Sequence, residues 1–226
     1  MIRILIMAGG KQSRLTVYDK PKCWLPIEEK YDAAHVPETI IGRTQKQLKH
    51  LLGMREREIR IVEPDPASKV RLGGVIANEI KKWGTKPAPS ALVLLGDVVW
   101  PLETLGTVLK DALDQTETVI YGRHEHKENP YTKKPYPEAF ALYFAGGKTW
   151  DLEQSHHLWD LYKHRDTPLG ELGPTWTDDI DTDEDYELRL PILKKLAYDD
   201  DNPQISKEQR QELLDRYYAA QNGRIV

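Results

Sequence analysis

The sequence predicts an α/β fold, a mainly parallel sheet with helices on both faces. Two observations carry that prediction. In the first half of the 226 residues, strand-like apolar segments alternate with helical ones at a spacing of about 25 to 30 residues. Such alternation is met by right-handed βαβ units. The strand segments also lack period-2 patterning, and "ALVLLGD" is a continuous apolar run, as burial on both faces requires.

Taken in order, residues 2 to 8 read as a buried strand that ends at Gly9. "IIGRTQKQLKHLL" (40 to 52) reads as a helix with Ile41, Leu48, Leu51 and Leu52 broadly on one side. "EIRIVEP" (58 to 64) is a second strand, closed by Pro64, and 73 to 83 is a second helix. "ALVLLGD" (91 to 97) is the third strand. Pro101 then starts a helix in which Leu102, Leu105, Leu109 and Leu113 repeat on one face. "ETVIYGR" (117 to 123) is a fourth strand. The polar, proline-rich 124 to 137 reads as a long loop. In "EAFALYFA" (138 to 145), Phe140, Leu142 and Phe144 alternate with smaller neighbours, which suggests a strand near an edge. Trp150 to Tyr162 reads as helical. Ser206 and Gln209 form a capping-box signature before Leu213, Leu214, Tyr217 and Tyr218. "DDDNPQ" (199 to 204) joins that last helix, so the expected organisation is one domain over 1–198 with a helical tail, 199–226, packed on it.

The bulk numbers narrow the function classes. The net charge of −4 gives no support for a general nucleic-acid or anionic-membrane surface. The single cysteine, Cys23, can form neither an internal disulfide nor a thiolate metal cage, which suits a reducing, cytoplasmic compartment. The apolar run Ile4 to Ala8 is too short for a signal peptide. No run of about 18 apolar residues suggests a membrane span.

Three stretches could carry chemistry. "ILIMAGGKQSRL" (4 to 15) ends a strand in two glycines, which free backbone N–H groups and clear room for a close ligand. Arg14 and Lys22 follow, cations able to neutralise a triphosphate. The spacing is neither a P-loop nor a dinucleotide fingerprint, and a tight βα turn with solvated charges fits the pair equally. The second stretch is "LLGDVVW" (94 to 100), where Asp97 stands just past the end of a strand. Ligands of open α/β sheets gather at that edge, though an aspartate there can also cap the next helix. Strands one and three would present Gly9–Gly10 and Asp97 on the same edge. The third is "TDDIDTDEDYE" (177 to 187), in which six of the eight residues from Asp178 to Asp185 are acidic. Thr182 can cap a helix whose first turn holds Asp183, Glu184 and Asp185. Asp178, Asp179 and Asp181 are left; one of them, paired with Asp97, could hold Mg²⁺. A solvated acidic turn is the plain alternative.

Together these pieces resemble the nucleotidyltransferases of the GT-A-type α/β fold, a group that includes sugar-1-phosphate nucleotidylyltransferases and molybdenum-cofactor guanylyltransferases. The resemblance rests on "ILIMAGGKQSRL" followed by "PKCWLPI" (21 to 27), "IIGRTQKQL", "LLGD" and "DIDTDEDYE", in that order over roughly residues 2 to 187. It implies a Rossmann-like three-layer α/β/α sandwich. It also implies that Ala8, Gly9 and Gly10 hold the nucleotide, that Arg14 and Lys22 neutralise the triphosphate, and that Asp97 and Asp181 bind Mg²⁺. Gly73 and Gly74 in "RLGG" are weaker nucleotide candidates on the same basis. The sequence departs from the family pattern at Asp183, where proline is usual, at Lys11 and Gln12 in the loop, and in the insertion "EEKYDAAHVPE" (28 to 38).

The implied reaction is transfer of NMP from an NTP to a phosphorylated acceptor such as a sugar 1-phosphate, with release of pyrophosphate. The implied partners are the NTP and that acceptor, with neither nucleic acid nor membrane; a homo-oligomer is left open. Two alternatives stand beside it: a glycosyltransferase of the same fold using a nucleotide-sugar, and a non-catalytic binding protein with Trp83, Trp100, Trp150, Trp159 and Trp176 at an interface. His156, His157 and His164 lack an acidic ligand in register and read as surface residues. The 124–137 segment reads equally as an acceptor lid or a solvated loop.

Overall fold

The computed structural model describes residues 2–9, 21–27, 38–53, 59–65, 69–84, 86–123, 138–155, 158, 159, 161, 169–171, 178, 179, 183, 186, 208, 211, 212 and 215. The strands are β1 (Arg3–Met7), β2 (Ile59–Val62), β3 (Ala91–Leu95), β4 (Val98–Val99), β5 (Val119–Arg123), β6 (Glu138–Phe144), β7 (Leu169–Glu171) and β8 (Asp178–Asp179). The helices are α1 (Ile40–Leu52), α2 (Leu72–Lys81), α3 (Leu102–Asp114) and α4 (Trp150–Gln154).

Six strands form one sheet in the order β2-β1-β3-β6-β5-β7, and β4 pairs with β8 apart from it. β1 runs parallel to both β2 and β3, and β5 runs parallel to β7. Only β6 is reversed, antiparallel to β3 and β5. The mainly parallel sheet is therefore as the sequence reads, with one correction. The 138–145 strand lies not near an edge but in the middle of the sheet. Both of its faces are covered: Phe140, Ala141 and Tyr143 pack in one core and Leu142 and Phe144 in the other, so the alternation of large and small residues does not mark a wet face.

The two faces bury separate cores. Ile4 and Ile6 of β1 and Leu92 and Leu94 of β3 pack with Ile41, Leu48, Leu51 and Leu52 of α1 and Leu105 and Leu109 of α3. The intervening Leu5, Met7 and Val93 pack with Ile76, Ala77 and Ile80 of α2 and Leu152 of α4. Successive side chains of a strand point to opposite faces, so an unbroken apolar run is what a three-layer sandwich demands of its central strands. Each such side chain stabilises the fold by roughly 1.5 to 3 kcal/mol through burial.

Local chemistry sets the helix limits. The Thr39 side chain accepts from the Gly42 N–H at 3.1 Å to start α1, and Gly53, at φ 59°, ends it. Pro101 precedes α3, as its fixed φ suits. The helix expected over 150–162 is interrupted. α4 ends at Gln154, and Ser155 turns extended at φ −84° and ψ 130°, while Leu158 and Trp159 are again helical. The Ser155 hydroxyl donates to the Asp151 carbonyl, while the Ser155 carbonyl accepts from the Gly73 N–H at the start of α2. A straight helix would lose that second bond. Among the tail residues described, Glu208, Gln211, Glu212 and Asp215 are helical and exposed. The 124–137 loop, the three histidines and the Ser206–Gln209 cap lie outside the described residues. No helix among the described residues is long and apolar enough to cross a membrane.

Candidate active site

β1 and β3 are parallel neighbours with Met7 opposite Leu95. Ala8–Gly9 and Gly96–Asp97 therefore leave the sheet side by side at its C-terminal edge. The Gly96 N–H donates to the Met7 carbonyl at 2.9 Å. A Cβ on Gly96 would stand 2.6 Å from that carbonyl oxygen and 3.2 Å from Cys23 Cβ. Gly96 is thus the residue that lets the end of β3 close against β1 and against the segment carrying Cys23.

That segment is a tight 3-10 turn, Lys22–Trp24, in which the Trp24 N–H donates to the Pro21 carbonyl at 2.8 Å. Cys23 points inward and is buried. Burial, and next the negative charge of Asp97, push its thiol up to about 12, so it stays neutral. With Cys23 anchored, its neighbour Lys22 reaches Asp97: Nζ lies 2.9 Å from Oδ2, the side chains being 15% and 23% exposed. Most of both side chains is covered, and such a pair returns little net stability once its desolvation is counted, so stability is a weak reason for either residue.

β4 follows Asp97 directly and pairs antiparallel with β8, placing Val98 opposite Asp179 and Val99 opposite Asp178. Paired Cα atoms sit about 4.5 to 5.5 Å apart. Asp178 and Asp179 of the acidic stretch are thereby held alongside the two residues that follow Asp97. Two further bonds fix the surroundings. The Tyr186 hydroxyl donates to the Pro26 carbonyl, tying the acidic stretch to the segment that carries Lys22. Gln47 of α1, 1% exposed, donates from Nε2 to the Trp100 carbonyl at 2.9 Å and holds the far end of β4.

Of the residues expected from sequence, Ala8, Gly9, Lys22 and Asp97 meet at this edge, and Lys22 touches Asp97. Gly10, Arg14 and Asp181 lie outside the described residues. Gly73 and Gly74 lie in the first turn of α2, Gly73 against the end of α4 and Gly74 against Val70. A Cβ on Gly73 would stand 1.8 Å from the Leu152 carbonyl oxygen; one on Gly74 would meet Val70 Cγ1 at 2.9 Å. Arg71 strengthens that junction by donating to the Gln154 carbonyl at 2.9 Å. Gly9 has a neighbour too, the Pro64 ring, whose Cδ would lie 2.4 Å from an added Cβ.

Gly96, Gln47 and Tyr186 were not among the residues expected. The glycine of "LLGD" is a visible signal for the first. Tyr186 lies 160 positions from Pro26, and no spacing in the sequence could announce that bond.

The donor set can be tested against Mg²⁺. Among the described residues no three His, Cys, Asp or Glu side chains cluster as a cage. A half-open carboxylate, Asp97, beside an acidic strand is instead what a hard ion needs when substrate phosphates supply most of its oxygens. Asp97 fits as one carboxylate ligand of such an ion, with the rest of its oxygens supplied from elsewhere.

No family model and no curated protein matches the sequence. Solved structures do match in fold. A homologue of Mycobacterium tuberculosis Rv0371c from Mycobacterium sp. strain JC1 superposes with a TM-score of 0.55 at 17% identity, over 86% of this chain and 98% of that one. The inositol-1-phosphate CTP transferase from T. maritima gives 0.53 at 12% identity, over 85% and 95%. The CTP:phosphocholine cytidylyltransferase from Streptococcus pneumoniae gives 0.50 at 13% identity, over 85% and 99%. The mixed sheet, its two helical layers and the agreement in length lead to one conclusion: this chain has the Rossmann-like α/β fold of the nucleotidyltransferases.

Proposed function

We propose that the protein is a Mg²⁺-dependent nucleotidyltransferase that moves NMP from an NTP to a phosphorylated small-molecule acceptor, such as a sugar 1-phosphate, and releases pyrophosphate. The observation that carries this reading is the contact of Lys22 with Asp97 at the C-terminal edge of β1 and β3, beside the acidic β8. An acceptor phosphate is already ionised at neutral pH, so no general base is required. What the protein must supply is position and opposite charge. Ala8 and Gly9 would receive the nucleotide, with Gly10 completing the loop. Lys22 and Arg14 would balance the charge that builds on the α-phosphate and the departing pyrophosphate. Asp97, with Asp181 or its neighbour Asp179, would hold the metal. Bound there, Mg²⁺ supplies Lewis-acid polarisation of the phosphate oxygens.

Two neighbours in fold support this reading, one an inositol-1-phosphate CTP transferase and the other a CTP:phosphocholine cytidylyltransferase. A cation already at the aspartate favours a triphosphate site over a nucleotide-sugar site of the same fold, because a triphosphate brings more charge to neutralise. The proposal includes one nucleotidyltransferase domain over 1–198 with the 199–226 tail packed on it. The ion pair of Lys110 in α3 with Glu212, at 2.9 Å, supports that packing. A cytoplasmic enzyme, with no nucleic-acid or membrane partner, fits the same reading.

The test is pyrophosphate release from ATP, CTP, GTP, UTP and dTTP, each offered with a panel of sugar 1-phosphates and other phosphorylated acceptors plus Mg²⁺. One NTP and one acceptor should together give turnover that chelation abolishes. Full metal-dependent turnover by Asp97→Ala would sink the assignment.

A further inference from the structure

The Asp97 carboxylate is claimed twice: by Lys22 in the structure and by a metal ion in the proposed reaction. A lysine ammonium at 2.9 Å from Oδ2 and a divalent ion on the same carboxylate repel each other. We propose that Lys22 and the metal exchange on Asp97. The ammonium holds the carboxylate until metal and nucleotide arrive together, and it then passes to the phosphates. This rests on the function proposed above.

Three features suit an exchange made by side chains alone. Lys22 and Asp97 are 15% and 23% exposed, so water reaches the pair and neither group must leave a sealed core. The backbone beneath is fixed, with Cys23 buried and the Gly96 N–H bonded to the Met7 carbonyl. The lysine stem has four rotatable carbons and an ammonium without preferred in-plane geometry, so it can trade a carboxylate for a phosphate without moving its Cα.

The consequence is a linkage. Lys22 lowers the affinity of free metal for Asp97, and a triphosphate that draws Lys22 away restores it. Metal and nucleotide therefore bind with positive coupling, and by reciprocity each strengthens the other by the same factor. Loss of Lys22 should weaken nucleotide binding yet strengthen nucleotide-free metal binding. A lysine that served only as a phosphate ligand would produce the first effect without the second.

The experiment is Mn²⁺ binding to the full chain without nucleotide, followed by the electron paramagnetic resonance of the free ion. Wild type is compared with Lys22→Met, Lys22→Gln and Lys22→Arg. Lys110→Met is the control, since it removes the same charge at an ion pair remote from Asp97 in sequence and element. Lys22→Met and Lys22→Gln should bind Mn²⁺ about fivefold more tightly than wild type, the equivalent of about 1 kcal/mol. Lys22→Arg and Lys110→Met should match wild type, and adding Asp97→Asn to Lys22→Met should remove the gain. Folding of each variant is checked by its melting temperature. If both neutral variants bind Mn²⁺ no better than wild type while Asp97→Asn weakens binding, the exchange is overturned and the metal assignment survives. If Asp97→Asn changes nothing in either background, both fall.

Discussion

The charged and the glycine halves of the candidate site meet opposite tests. Lys22 and Asp97 form a part-exposed ion pair of small worth to the fold, held in place by Gly96, Cys23 and the β4–β8 pairing. Gly73, by contrast, is fully accounted for by packing: its missing side chain is what lets the Leu152 and Ser155 carbonyls close on the start of α2. The lesson is that residue type alone does not separate a ligand cradle from a close helix crossing. A glycine near a strand end can serve either, and only its three-dimensional neighbour decides. Charge at a strand end with little structural return is the stronger pointer to chemistry.

Substitutions can break that comparison. The largest effect is expected at Asp97: Asp97→Ala should lower kcat/KM for pyrophosphate release by about 100-fold or more, while its stability in urea falls by no more than about 3 kcal/mol. Next is Gly73→Ala, which should lose about 2 to 3 kcal/mol because its methyl meets backbone rather than a movable side chain. That loss would appear as a fall in Tm of roughly 5 to 10 °C. Gly74→Ala is the counterpart. Its methyl would press on Val70, which is 49% exposed and able to turn away, and would meet the Glu153 carbonyl oxygen only at an ordinary 3.8 Å. Alanine also favours a helix over glycine by about 0.5 to 1 kcal/mol, so Gly74→Ala should leave Tm unchanged or raise it. Loss of activity with unchanged Tm in Gly74→Ala would return that residue to the nucleotide site.

The smallest effect concerns Cys23. With its thiol near 12 against 9.0 when unperturbed, it should resist alkylation at pH 8 in the folded protein and react on unfolding. The folded state keeps the proton that the unfolded state releases, so this contribution is whole below pH 9 and is lost as pH climbs from 9 toward 12. Urea midpoints for wild type and Cys23→Ala should converge over that window.

Much of the fold was legible because it depends on local pattern. The α1 limits, Thr39 to Gly53, follow from a capping side chain and a glycine at the end of an apolar repeat. β1 and β3 are legible from their unbroken apolar runs, and Asp97 from its place after the second of them. The central place of β6 was not legible, since strand order depends on which edges pair and not on the strand's own residues. Nor was the break at Ser155, which answers a partner some 80 positions earlier in the chain, Gly73.

The sequence by itself determined the layers, the polarity of most strands and the residue types that could neutralise a phosphate, because apolar period, caps and charge act over a few positions. Tertiary structure alone decided which of those residues meet. Lys22 and Asp97 become partners because parallel pairing of β1 with β3 brings their flanking segments to one edge, and because Gly96 offers no side chain to keep them apart.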